Sequence, residues 1–409
     1  MAAGLTIDST GSPQRPQKTS APTPVWVVIG LAMGPTVALG LARFAYALLL
    51  PPMRTELGWS YAAAGALNTA NAAGYLVGAL AAAALGRRLG DKQVFAVSLL
   101  LTALAVGASG LTAEFTLQLV LRFIAGFTGA LTFITGAGLT AAAAQGGARS
   151  RAPTFLGLYF AGGGLGITAS ALAVPPVLTA TGWRGGWLAL GGLSLLATLI
   201  AWTVLGRAPQ TASVTGKRGR GGWPARFMAP KLVAYGLFGA GYIAYATFII
   251  AYLRSAEQFS DFEVSAFWAI LGVAAIVAVF AWGPVLGRLK GGWGTAATVG
   301  MVTLGAAMPL IFGGIVGAFL SAILFGGSFL AVVAAVTSFG RRAAPPHAWT
   351  AMIGALTVAF GIGQSIGPLL SGALSDGPGG VTAGLWASVA ILAVSSVIAA
   401  TQPEPAEQA

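Results

Sequence analysis

The chain has 409 residues, of which 56% are hydrophobic, only 8% are charged and 60 are glycine. Soluble domains carry about 25% charged residues, so this chain cannot dress a water-facing surface, and its main solvent is lipid. With no cysteine and a single histidine, His347, it lacks the parts for a disulfide scaffold, a thiol nucleophile or a multi-histidine metal site.

The net charge of +12 is distributed in short segments between apolar runs. That pattern argues for membrane topology and against a nucleic-acid partner, which would need one continuous basic face. Residues 1–23 are rich in Pro, Ser, Thr and Gln and read as a disordered cytoplasmic tail. No small-residue cleavage site follows a short apolar core, so the first apolar run reads as a retained helix.

A membrane-crossing helix needs about 20 apolar residues. That ruler finds runs near 24–51, 61–86, 93–111, 115–144, 153–179, 186–206, 231–253, 264–287, 294–315, 317–340, 349–374 and 380–401. The least distinct boundary is Gly314-Ile315-Val316-Gly317, where two runs touch with no charge between them. The polar stretch 207–230 divides the runs six and six, and reads as a cytoplasmic linker between an N-terminal half, 24–206, and a C-terminal half, 231–401. Residues 402–409 form a short cytoplasmic tail.

If the N-terminus is cytoplasmic, most lysines and arginines fall inside, among them Arg87, Arg88, Lys92, Arg149, Arg151, Lys217, Arg218, Arg220, Arg288, Lys290, Arg341 and Arg342. Only Arg54, Arg184 and Arg254 remain outside, which fixes the orientation by the positive-inside rule. A displacement of 200 residues lays Arg54 on Arg254, Gly126 on Gly326, Phe160 on Phe360 and Gly163 on Gly363, the mark of an internal repeat.

In the fourth run, Leu121-Arg122-Phe123-Ile124-Ala125-Gly126-Phe127-Thr128-Gly129-Ala130 resembles the arginine-and-glycine motif of the major facilitator superfamily. The loop Gly86-Arg87-Arg88-Leu89-Gly90-Asp91-Lys92 resembles that family's loop signature, with Arg87 where an aspartate is usual, and Gly283 to Arg288 is its weaker echo. The stretch from Gly40 through Arg43 and Tyr46 to Met53 is similar to the first span of the bacterial YbfB/YjiJ branch. This resemblance implies an all-α integral membrane protein with twelve transmembrane helices in two six-helix halves, placed in the bacterial inner membrane with both termini cytoplasmic. It also implies a transporter working by alternating access, not an enzyme, without cofactor or metal. Gly86, Arg87, Arg88, Gly90, Asp91 and Arg288 would form the cytoplasmic gating loops, without the usual charge-relay latch at Arg87.

The acidic residues all fall in tails, loops or helix ends, so a proton relay through a mid-membrane carboxylate is not expected. Arg43 and Arg122 lie inside apolar runs, where a central arginine costs about 2.5–3.5 kcal/mol. At about 1.5 Å per residue they sit at similar depth, roughly 10–14 Å below the outer surface. An anionic substrate is one partner for them. Snorkelling is the alternative for Arg43 and helix packing for Arg122.

Tyr235, Phe238, Tyr242, Tyr245 and Tyr252 form an aromatic stripe at helical spacing. Asn68, Asn71 and Tyr75 share a face of the second run, Thr128, Thr132 and Thr135 a face of the fourth, and Thr357, Phe360 and Gln364 a face of the eleventh. The expected substrate-binding set is Arg43, Tyr46, Asn71, Arg122, Tyr242, Tyr245, Phe360 and Gln364. The expected function is secondary active or facilitative transport of a small organic anion, a carboxylate, by a lipid-embedded monomer. The alternatives are an efflux pump for amphipathic or drug-like compounds and a non-transporting membrane sensor or assembly subunit.

Overall fold

A computed structural model describes residues 23–145, 151–209, 225–345 and 348–405. The N-terminal tail, most of the linker, Arg149 and His347 lie outside the described residues. Every regular element described is helical, and eleven helices are long and apolar enough to cross a membrane. They are α1 Val25–Leu57, α2 Tyr61–Leu89, α3 Asp91–Leu111, α4 Phe115–Ala143, α5 Ala152–Leu205, α6 Ala229–Ser255, α7 Asp261–Leu286, α8 Trp293–Phe312, α9 Gly314–Ala343, α10 Trp349–Ser375 and α11 Gly380–Ala400.

Where the sequence separates runs at 153–179 and 186–206, the structure joins them into α5, 54 residues long. A straight helix of that length would span about 80 Å, more than twice a hydrocarbon core of about 30 Å. α5 is not straight. Gly182 interrupts it with φ 68° and ψ −169°, a conformation that only glycine adopts without strain. The indistinct boundary near 314 is likewise set by backbone: Gly313 and Gly314 both have positive φ and end α8 sharply.

Contacts recur at the 200-residue displacement. Ser60 caps α2 by accepting from the Ala63 amide, and Ser260 caps α7 from the Glu263 amide. The Arg54 guanidinium lies 4.1 Å from the centre of the Tyr61 ring, and Arg254 pairs with Asp261. Gly126 of α4 rests on the carbonyl oxygen of Asn71 in α2, just as Gly326 of α9 rests on that of Leu271 in α7. Glu114 has no such counterpart. It caps α4, and the amides of Thr116 and Leu117 hold its carboxyl below the usual range.

A Cβ built on Gly126 would stand 2.0 Å from the Asn71 oxygen. Backbone cannot retreat as a side chain can, so Gly126→Val is expected to push α2 and α4 apart and to abolish the folded, monodisperse protein in size-exclusion chromatography. Gly192→Ala, whose Cβ would meet nothing within 4 Å, is expected to elute as the parent does.

The most apolar stretches of α1 and α6 are each 83% buried, against 28–56% in the other spans. A helix apolar on every side and buried on every side belongs at the centre, so these two helices form the axis around which the others stand. α1 is also irregular. Pro35 supplies no amide, Thr36–Phe44 winds as a π-helix, and Thr36 donates to the carbonyls of Ala32 and Gly162 at 3.0 and 2.9 Å. Such wide turns are rare and gather at functional sites, because they re-aim side chains that a regular helix would place elsewhere.

Candidate functional site

Among the described residues no carboxylate is buried, while Arg43, Arg122 and Lys231 are. No group of three or more His, Cys, Asp or Glu stands together among them to hold a metal. The chemistry at the centre is therefore that of arginine, amide, hydroxyl and aromatic groups.

Arg122 reaches from α4 to α1 and α2. Its Nη1 donates to the Ala42 carbonyl, and its Nη2 donates to Asn68 Oδ1 at 3.0 Å. Its guanidinium also lies 5.1 Å from the Tyr46 ring centre and 5.4 Å from that of Trp187. Only Nε lacks a partner. Tyr46 stacks on Trp187 and donates its hydroxyl to the Ala64 carbonyl at 2.8 Å. Asn71 donates to the Arg122 carbonyl at 3.1 Å. Tyr46, Asn71 and Arg122, all expected at the substrate, are thus held by the protein itself.

Arg43 is different. It lies on the π-turn, 3% exposed, and its Nη2 has no hydrogen-bond partner. Its guanidinium lies 5.3 Å from the centre of the Tyr75 ring and within electrostatic reach of Tyr242. A buried, unpaired cation is costly unless something arrives to pair it.

Two aromatic walls flank this point. On the α1–α5 side, Tyr75 and Phe160 both meet Phe133, at 6.4 and 5.5 Å between ring centres. On the α6–α11 side, Phe360 stacks on Tyr235, Tyr242 and Phe238 at 4.5, 5.7 and 5.9 Å. Tyr242 continues to Phe329, which meets Phe44, the residue after Arg43, edge-on at 5.5 Å. Gln364 donates to the Tyr242 hydroxyl, and its Oε1 is buried without a partner. Whichever way that amide is turned, one of its polar atoms stays unpaired.

Of the expected set, Arg43, Tyr242, Phe360 and Gln364 lie about this point. Tyr245 stands one ring further out: its hydroxyl bonds Ser321 at 2.5 Å and its ring meets Phe325, which stacks on Phe329 at 5.6 Å. The aromatic stripe repeats slightly faster than the helix turns, so it drifts round α6 by roughly 100° between Tyr235 and Tyr252. Tyr75, Phe133, Phe160 and Phe329 complete the walls and were absent from the expected set. Phe160 could have been found, since it lies 200 residues before Phe360. The loop residues Arg87, Arg88 and Gly90, and Arg288 after α7, are exposed at the basic end of the molecule, far along their helices from the walls. Gly86 abuts the Asp91 carboxylate across the α2–α3 turn.

At the opposite end the two sets of helices are tied together. The Asp376 carboxylate, at the end of α10, accepts from the Tyr61 and Ala62 amides at the start of α2, at 2.7 and 2.9 Å. Tyr61 meets Phe248 edge-on, and Gly65 lies against the Pro368 carbonyl. Thr69 donates to the Ser365 carbonyl at 2.8 Å. Asn68 donates to Thr247 of α6 at 2.6 Å, so a chain of bonds runs from Ala42 through Arg122 and Asn68 to the other set.

A family model described as "Uncharacterised MFS-type transporter YbfB" matches residues 35–400. Among solved structures, the nucleoside transporter NupG superposes with a TM-score of 0.69 at 16% identity, covering 92% of this chain and 98% of its own. A bacterial homologue of the human lysosomal transporter Spinster, in an inward-facing and occupied conformation, gives 0.73 at 15% identity, covering 94% and 97%. At these identities the likeness to both is one of fold.

Proposed function

Because the chain belongs to the YbfB family of MFS-type transporters, and so is a multi-pass membrane protein that carries a small molecule rather than an enzyme, we propose that its cargo is an amphipathic compound. An aromatic or otherwise apolar body lies between the two aromatic walls, and an anionic or strongly accepting group meets Arg43. The observation that carries this is Arg43 Nη2, buried and unpartnered between those walls. A site built for a small carboxylate alone would use both arginines, and Arg122 is already engaged by Ala42 and Asn68. Gln364 adds one unpaired amide atom, which suits a cargo with a second polar group.

We read α5 as two crossings meeting at Gly182, which gives twelve crossings in two halves related by the 200-residue repeat. The basic end then faces the cytoplasm by the positive-inside rule, with both termini there. The tied end faces outward, and transport is a rocking of the halves that unties it.

The test is thermal stabilisation of the detergent-purified protein by a panel of small carboxylates, aromatic acids, nucleosides and neutral amphiphiles, followed by flux of the best ligand into liposomes. Aromatic acids or other amphiphiles are expected to stabilise most, and Phe360→Ala to cut that stabilisation severalfold. Stabilisation by acetate-sized carboxylates alone, indifferent to Phe360→Ala, would overturn the reading.

A further inference from the structure

We propose that the basic end of the α6–α11 half holds a binding site for the headgroup of a net-anionic phospholipid, with the chain's own Glu404 seated in it as an internal occupant. This goes beyond the cargo site and does not depend on it. The strongest sign is Lys231, in the first turn of α6, which is fully buried. Its ammonium has one hydrogen bond, to Thr295 Oγ1 at 3.0 Å, and lies 4.3 Å from the centre of the Phe339 ring. Among the described residues no carboxylate lies within salt-bridge distance of it.

Thr295 and Phe339 also line a small surface recess, with about 10 Å³ of free space while Glu404 is in place, together with Gly291, Ser338 and Arg342. Two of those lining groups hold Glu404. The Gly291 amide donates to its carboxylate, and Arg342 Nε stands 3.9 Å from it. The tail is brought there by Gln402, which is buried. Gln402 donates to the Phe227 carbonyl at 2.9 Å and accepts from the Lys231 and Gly292 amides at 3.2 and 2.8 Å. The recess thus already takes a carboxylate, on the arrangement of amide and guanidinium that a phosphate would use.

Lys231 faces the Arg342 guanidinium as well as the Glu404 carboxylate, and with Arg288, Lys290 and Arg341 at the same end the cations outnumber the one carboxylate. A lipid suits the mouth of the recess better than a free ion does. Its lining includes Leu286 and Leu289, and Trp293 beside it is 61% exposed, as an aromatic at headgroup level is. Basic clusters at the cytoplasmic surface attract anionic headgroups.

The full-length protein is purified in a mild detergent and given phosphatidylglycerol, phosphatidylcholine with the same acyl chains, or inorganic phosphate. Retained lipid is read by native mass spectrometry, and the shift in melting temperature is read in parallel. Phosphatidylglycerol is expected to be retained and to stabilise, and phosphatidylcholine is not. Arg342→Gln is expected to cut retention about tenfold, and Glu404→Gln to raise it severalfold by removing the competing carboxylate. The surface position of Arg342 and Glu404, each 44% exposed, keeps both variants foldable where a change at Lys231 would not be. Equal retention of the two lipids, or retention indifferent to both variants, would overturn the proposal. So would inorganic phosphate reproducing the whole stabilisation, which would make the occupant a free anion.

Discussion

Arg43→Gln is expected to raise the melting temperature of the ligand-free protein while weakening cargo binding about 10- to 100-fold. The two effects have one cause. Arg43 is 3% exposed with an unpartnered Nη2, and it lies within electrostatic reach of the like-charged Arg122. A buried charge without a partner is a cost the folded state carries until cargo arrives, and removing it relieves that cost. A hydrogen bond to a charged group contributes about 1.5–3 kcal/mol, which is the factor expected to vanish from the affinity. Sites held strained for function commonly gain stability when the functional residue is replaced.

Arg122→Gln is the contrast. It removes the donor from the Ala42 carbonyl and from Asn68 Oδ1 inside the protein, and each buried group left without a partner costs about 1–3 kcal/mol. The melting temperature is therefore expected to fall. The comparison needs only thermal unfolding of the two variants and one binding isotherm for each. If Arg43→Gln proves as destabilising as Arg122→Gln, Arg43 is a packing residue and the cargo site lies elsewhere.

That the two arginines differ was not readable from the sequence. Both are single cations at similar depth in apolar runs, and hydropathy treats them alike. What separates them is register. Gly126 lets α4 approach α2 until Asn71 bonds the Arg122 backbone and Asn68, three residues earlier, receives its side chain. The π-turn at Thr36–Phe44 gives Arg43 a direction that no 3.6-residue wheel anticipates. The all-helical membrane fold was readable because length and hydropathy are one-dimensional properties, whereas the joining of two runs into α5 was not. Around the two arginines the sequence departs from the 200-residue repeat: Arg43, Asn68, Asn71 and Arg122 stand opposite Ile243, Trp268, Leu271 and Ala322. A repeat-based reading has least to say where the two sets of helices differ. The Gln402–Glu404 strap carried no pattern at all, since two polar residues in a short tail look the same docked or free.

In the proposed orientation the ties opposite the basic end face outward and set the balance between the two faces, and cutting them is expected to open that end. Thr247→Val removes the acceptor of the Asn68 amide, and Asp376→Ala removes the carboxylate from the Tyr61 and Ala62 amides. A neutral hydrogen bond contributes about 1 kcal/mol and a charged one about 1.5–3. Counting the paired Asp376 bonds as one charged contact, the loss is about 2.5–4 kcal/mol, which is expected to shift the equilibrium toward the outward-open state about 70- to 900-fold. The chain contains no cysteine, so a single Thr69→Cys reports the change without a background to remove. Thr69 faces the Ser365 carbonyl between the halves, where a membrane-impermeant maleimide reaches it from outside only when the halves part. Labelling in intact cells is expected to be slow in the otherwise unchanged protein and to accelerate by a comparable factor in the Thr247→Val, Asp376→Ala background. Cargo that bridges Arg43 and the Phe360 wall draws the halves together around it, so saturating cargo is expected to slow labelling in both backgrounds. Were the double variant folded but labelled no faster, these bonds would be packing contacts rather than a latch, and the coupling from Arg122 through Asn68 to α6 would carry no conformational load.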